Sequence, residues 1–172
     1  MEVKKDDQGG CITVIKWLDV GKKIERESIS KVEKELGVNF PADYIECVLK
    51  YHGGTPDPHT FDFESRKEAV FDRLLSYDPN QPHFILRDYE AIKNRLPAGI
   101  VPIASDPFGN YICFDFRNKK DNPTLVFWDH EKSGDTAISP ICDSFSELLS
   151  KLYQPDHSDV DELLREEFPD WK

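Results

Sequence analysis

The chain is short of positive charge, and that shortage excludes the most. Its 172 residues carry 22 Lys and Arg against 33 Asp and Glu, a net charge of −11. Binding DNA, RNA or an anionic membrane needs clustered Lys and Arg to displace counterions from phosphate, so this balance disfavours all three. Long apolar runs are missing too. No stretch of ~18 apolar residues is present, so nothing reads as a membrane span. The polar start Met1-Glu2-Val3-Lys4-Lys5-Asp6-Asp7 lacks the apolar core of a signal peptide. Cysteine is sparse, at Cys11, Cys47, Cys113 and Cys142, with no Cys-x-x-Cys pair. Three of these lie in apolar runs, where a free thiol behaves as a small hydrophobe. The expectation is a reducing cytoplasm, no disulfide and no zinc site.

Catalytic signatures are equally scarce. Asp129-His130-Glu131 sets a His between two carboxylates, residue types suited to a metal or a general base. Neighbours on a strand point to opposite faces, so three consecutive side chains do not converge. No His-x-x-x-His spacing supports them either, and a strand end or loop used for contacts fits better. Asp106-Pro107-Phe108-Gly109-Asn110 contains a Gly but no phosphate-loop pattern and no following helix. Pro107 presets one turn dihedral and Gly109 can take positive φ, which reads as a hairpin turn. Asp106 and Phe108 are expected to be exposed on it, the alternative being that Phe108 covers the core and Glu131 is merely solvated. Ser105 and Ser144 lack a nucleophile-elbow context, and nothing singles out two of the 33 acids as a catalytic pair. The reading is a binding surface with no catalytic residue, no cofactor and no metal.

What the chain does have is material for one core. Hydrophobic residues make up 38%, with eleven Phe and three Trp; a chain of this size buries roughly two-thirds of its unfolded surface. Ile29, Val32 and Leu36 fall on one helical face, which predicts a helix over 26–36 stopped by Gly37. Tyr44, Ile45, Val48 and Leu49 make the stripe of a second helix over 41–52, with Pro41 in its first turn and Gly53-Gly54 at its end. Residues 69–75 and 83–86 are expected strands, and 89–96 a short helix. Branched and aromatic residues predict strands at 100–104, 110–116 and 124–128. Their short links favour an antiparallel meander. Ser144 and Glu147 have capping-box spacing, opening a third helix over 144–152. Leu49, Ile112, Phe114, Val126, Phe127 and Leu148 are candidate core residues. Residues 156–172 hold seven acids and two bases, −5 of the total charge, with helical spacing at Val160, Leu163, Leu164 and Phe168.

The stretch Ile29-Ser30-Lys31-Val32-Glu33-Lys34-Glu35-Leu36-Gly37-Val38-Asn39-Phe40-Pro41-Ala42-Asp43-Tyr44, followed by Leu49 and Gly53-Gly54, resembles the amino-terminal signature of the SUKH superfamily, the Smi/Knr-like proteins. Pro102-Ile103-Ala104-Ser105-Asp106, Gly109-Asn110, Cys113-Phe114-Asp115, residues 126–131 and Ser144-Phe145 resemble its second half. The resemblance implies a single α+β domain, a central and mostly antiparallel sheet with flanking helices. It also implies a non-enzymatic role. Bacterial members are typically immunity proteins that neutralise polymorphic or contact-dependent toxins, many of them nucleases; fungal relatives regulate cell-wall synthesis.

Three segments follow: a polar lead over 1–23, the SUKH-like domain over 24–154, and an acidic tail over 155–172. The expected partner is a cognate toxin domain, basic because a nuclease must hold phosphate, toward which an acidic protein is electrostatically steered. The alternative is a regulatory module of the fungal type with a cellular partner. Neither a nucleic acid nor a membrane is expected as a direct partner. Partner contacts are expected at Asp106, Phe108, Asp129, His130 and Glu131.

Overall fold

The computed structural model describes residues 3–5 and 11–157, with side chains from residue 14 onward. Two amphipathic helices, α1 (Arg26–Leu36) and α2 (Ala42–Tyr51), come early and follow the expected stripes. Gly37 closes α1 at φ 67°, a left-handed conformation that costs glycine little. Ile29 and Val32 are buried from α1, and Tyr44, Cys47 and Val48 from α2. Glu33 is buried as well, its carboxylate accepting the Phe40 N–H at 2.8 Å and pairing with Arg26 at 3.0 Å.

Strands β1 (Val3–Lys5) and β2 (Cys11–Thr13) pair with each other. β3 (Lys16–Leu18) pairs with β4 (Thr55–Asp57), and β5 (Thr60–Phe63) with β6 (Arg66–Val70). After β7 (Arg73–Leu74) come α3 (Ile85–Ile92), β8 (Ile100–Ser105), β9 (Tyr111–Asp115), β10 (Thr124–Trp128), β11 (Ile138–Cys142) and α4 (Phe145–Ser150). The central sheet is antiparallel throughout, in the order β11-β10-β9-β8-β7. This is the expected α+β architecture.

Both faces of that sheet are covered, and residues alternate between two cores. Ile112 and Phe114 of β9, with Leu125 and Phe127 of β10, face the main core against α1, α2 and α4. Tyr44 sits at its centre, with Phe114 and Phe145 ring centroids each 5.3 Å away. Cys113, Val126 and Trp128 face a smaller core with Ile100 and Ala137, closed by Ile92 and Leu96. Double coverage explains why these strands read as continuous apolar runs rather than clean alternation. Burying one such aromatic contributes roughly 1.5–3 kcal/mol. Leu148 is fully buried, whereas Leu49 is partly exposed at the core's edge.

Two expectations need correction, and one strand was not expected. The single strand over 69–75 is two: Val70 pairs with Thr60 in the β5–β6 hairpin, while Leu74 pairs with Ala104 in the central sheet. Residues 83–86 are not a strand. His83 has φ 57°, which turns the chain; Phe84 makes one bridge to Ser76, and Ile85 already begins α3. Strand β11 was not anticipated because Pro140 argues against a strand; it is tolerated there because β11 is the sheet edge. At α4 the Ser144 hydroxyl accepts the Glu147 N–H at 3.1 Å, while Glu147 reaches back to the Asp143 N–H rather than to Ser144. The helical pattern at Val160 to Phe168 lies outside the described residues.

Candidate functional site

The turn between β8 and β9 is built around one carboxylate. Asp106 accepts the backbone N–H groups of Phe108 and Asn110 through Oδ1, both at 2.8 Å. Its Oδ2 accepts the Asn110 side-chain amide at 2.8 Å, and the Asp106 N–H donates to the Asn110 carbonyl at 3.0 Å. Gly109 takes φ 91°, the conformation that the hairpin reading required of it. Asp106 is therefore buried, not the exposed acid anticipated. A carboxylate that accepts three N–H donors is occupied in shaping the turn. Phe108, by contrast, is 69% exposed, the most exposed of the large apolar side chains among the described residues.

The turn after β10 is built in the same way. Asp129 Oδ1 accepts the Glu131 N–H at 3.0 Å, and Oδ2 lies 3.6 Å from Lys132 Nζ and 3.9 Å from Arg66. Asp129 is thus mostly covered and locally neutralised. His130 is half-buried, and Glu131 is exposed. The three residues do not converge, and they lie in a turn rather than along a strand.

Asn110 joins the two turns. Its amide nitrogen is committed to Asp106, so its oxygen faces His130, accepting the His130 backbone N–H at 3.0 Å and lying 2.7 Å from the ring Nδ1. With the acceptor fixed, Nδ1 carries hydrogen and donates. The imidazole packs over Gly109, where an added Cβ would stand 3.5 Å from Nδ1. Arg95 secures the far side: it donates to the His130 carbonyl, and its guanidinium lies 5.3 Å from the centroid of the Trp128 ring. A groove of about 470 Å³ opens beside it, between residues 94–97 and 132–135. Asp106, Asp129 and His130 thus help hold a rigid double turn, while Phe108 and Glu131 project from it.

Sequence reasoning missed Asn110 and Arg95. Asn110 was legible as a turn residue, but a partner twenty positions away leaves no local pattern. The described thiols are poor nucleophiles, because burial pushes Cys47 up to about 12 and Cys142 to about 11, and raises Cys113 well above its ordinary value; nearby carboxylates, Asp43 for Cys47 and Glu147 for Cys142, add to the shift. No described group of three His, Cys, Asp or Glu side chains is arranged to hold a metal ion. No described helix is long and apolar enough to cross a membrane.

Residues 26–149 match the family model described as SMI1-KNR4 cell-wall. The chain is also 28% identical, over 145 residues and 73% of each chain, to the SPbeta prophage-derived uncharacterized protein YokK of Bacillus subtilis (strain 168).

Proposed function

Because the chain belongs to the SMI1-KNR4 cell-wall family of the SUKH superfamily, we propose that it is an immunity protein that binds and neutralises a cognate toxin domain in the cytoplasm, one to one and without turnover. The observation that carries this reading is Phe108: an aromatic side chain, 69% exposed, on a turn whose backbone is fixed by a buried carboxylate. An exposed aromatic held in one place supplies apolar contact area at little entropic cost on binding. Glu131 stands by as a charged rim group, and Asp106, Asp129 and His130 hold the two in register. The net charge of −11 speeds encounter with a basic toxin, such as a nuclease. A bacterial prophage relative favours immunity over the fungal regulatory alternative.

The test is reconstitution with the toxin domain encoded beside this gene. Co-expression should protect cells, and the purified pair should form a 1:1 complex that blocks toxin activity. A toxin unaffected by an excess of this protein, with no complex formed, removes the proposal.

A further inference from the structure

We infer a second docking site, along the β7 edge of the sheet, that takes the carboxylate of an acidic residue on a protein partner. The partner's neighbouring aliphatic side chain would lie on Leu18 and Val20. The site is a pocket of about 180 Å³ between Lys22 and Arg73, with Gly53 and Ser76 among its lining. That volume suits a carboxylate rather than a whole ring system.

Two features point to a ligand of this chemistry. Large apolar side chains are exposed at three described positions, Leu18 (39%), Val20 (38%) and Phe108 (69%); Val20 lines this pocket, and Leu18 precedes it by two residues on the same segment. The second feature is charge. Acids outnumber bases by 33 to 22 in this chain, yet none of the ion pairs among the described residues involves Lys22 or Arg73. Arg73 donates one N–H to the Gly53 carbonyl at 3.2 Å, which orients a planar fork of five donors beside the pocket. Asp19 lines the pocket as well, leaving its walls at a net +1 from Lys22, Arg73 and Asp19. A cationic pocket bordered by aliphatic side chains complements an acidic residue next to an apolar one.

The loop that presents Val20 and Lys22 is rigidly seated. Gly21 N–H donates to the His52 carbonyl at 2.9 Å. His52 is fully buried; its Nδ1 accepts the Tyr77 N–H at 3.2 Å, so Nε2 is the protonated nitrogen that meets the Lys22 carbonyl. A Cβ on Gly21 would stand 2.6 Å from the His52 ring, which shows how closely the loop is pressed down. Asp19 at φ 51° and Gly53 at φ 74° hold left-handed conformations at the pocket itself. Such conformations persist in a non-glycine residue where the surroundings over-determine them. The carboxylate would therefore meet donors already in position.

The test is an NMR titration of the full-length, ¹⁵N-labelled protein with the peptide acetyl-Leu-Glu-Leu-amide. Saturable shifts are expected at Gly21, Lys22, Gly53 and the Arg73 Nε–H. The Gln-containing counterpart should bind at least about tenfold more weakly. Lys22→Glu and Val20→Ser alter exposed side chains, and each should weaken binding while the remaining spectrum is unchanged. Four outcomes overturn the inference: no saturable shift, equal shifts from both peptides, indifference to both substitutions, or matching shifts from inorganic phosphate alone. The peptide replaces any toxin, so failure here leaves the proposed function untouched.

Discussion

His130 donates its Nδ1 hydrogen to the side-chain oxygen of Asn110, 2.7 Å away, and through it the two turns at one end of the sheet become a single unit. The relay runs from imidazole to amide to the buried Asp106 carboxylate, with Asn110 Nδ2 donating to Asp106 at 2.8 Å. Each member fixes the orientation of the next.

Asn110→Ala cuts that relay in the middle. It leaves Asp106 short of one donor and the His130 N–H without its acceptor. A loss of about 1–3 kcal/mol is expected from urea denaturation, the range for stranding buried polar partners. Amide exchange at Phe108 and Glu131 should quicken together. A loss under ~0.5 kcal/mol, or quickening in one turn alone, would show that Asn110 does not couple them.

How much of this was legible beforehand depended on the range of the forces involved. Helix α1 was read to its ends because Ile29, Val32 and Leu36 repeat locally and Gly37 marks the stop. Strands β8 to β10 were read because branched and aromatic side chains declare themselves. Strand β11 was hidden by Pro140, whose penalty vanishes at a sheet edge that no sequence pattern reveals. The break between β6 and β7 was hidden for a similar reason: Val70 and Leu74 are pulled to strands of different sheets by long-range pairing. At the site, the turn chemistry of Pro107 and Gly109 was legible, whereas the sequence left Phe108 open between exposure and packing on the core. The burial of Asp106 was not. A carboxylate's fate depends on where nearby N–H groups point, which the turn decides only once it is formed.

Acid stability should depend on Asp115 and Arg117. Burial, the largest influence on Asp115, pushes its carboxyl up, but the Arg117 guanidinium and backbone N–H together outweigh it and hold it below its ordinary value. The guanidinium donates to both carboxylate oxygens at 2.8–3.2 Å. A carboxyl lowered in the folded state stabilises the fold above the unfolded value of ~3.9 and loses that contribution as pH falls through the folded value. Arg117→Met removes this term. Because burial raises Asp115 once the Arg117 guanidinium is gone, the stability gap between wild type and variant should be flat near about pH 7 and narrow progressively as pH falls through about 5 and below. In an Asp115→Asn background the effect of Arg117→Met should lose most of that pH dependence, leaving only the share from the exposed Asp135, which Arg117 also meets at 2.8 Å. A gap that widens on acidification contradicts the assignment.

The thiols give an independent reading of burial. Cys47 pushed up to about 12, and Cys142 to about 11, leaves almost no thiolate near neutrality. In a Cys11→Ser background, Cys47, Cys113 and Cys142 should resist a thiolate-specific disulfide reagent at about pH 8, against a free-thiol value of ~8.5. All three should react promptly in urea. Rapid native-state modification of Cys113, which is fully buried between strands, would mean that the sheet opens far more readily than its packing implies.

The proposed partner surface should separate into residues that touch and residues that hold, and substitution can tell them apart. Phe108 is 69% exposed, so Phe108→Ala should leave the melting temperature nearly unchanged while weakening toxin binding about 10–100-fold, equivalent to about 1.4–2.8 kcal/mol. The loss should appear mainly in the dissociation rate. Glu131→Lys acts through charge instead, slowing association with a basic toxin and flattening its salt dependence without loss of fold. Asp106→Ala should differ from Phe108→Ala in stability: it removes three acceptor contacts inside the turn, so stability falls by about 1–3 kcal/mol, and binding falls as well because Phe108 is no longer held. Kinetic binding traces and melting curves on the same three variants provide the comparison. Equal melting losses for Phe108→Ala and Asp106→Ala would mean that Phe108 belongs to the fold. Unchanged binding in both Phe108→Ala and Glu131→Lys, with the wild-type complex intact, would move the interface elsewhere on the protein and leave immunity itself standing.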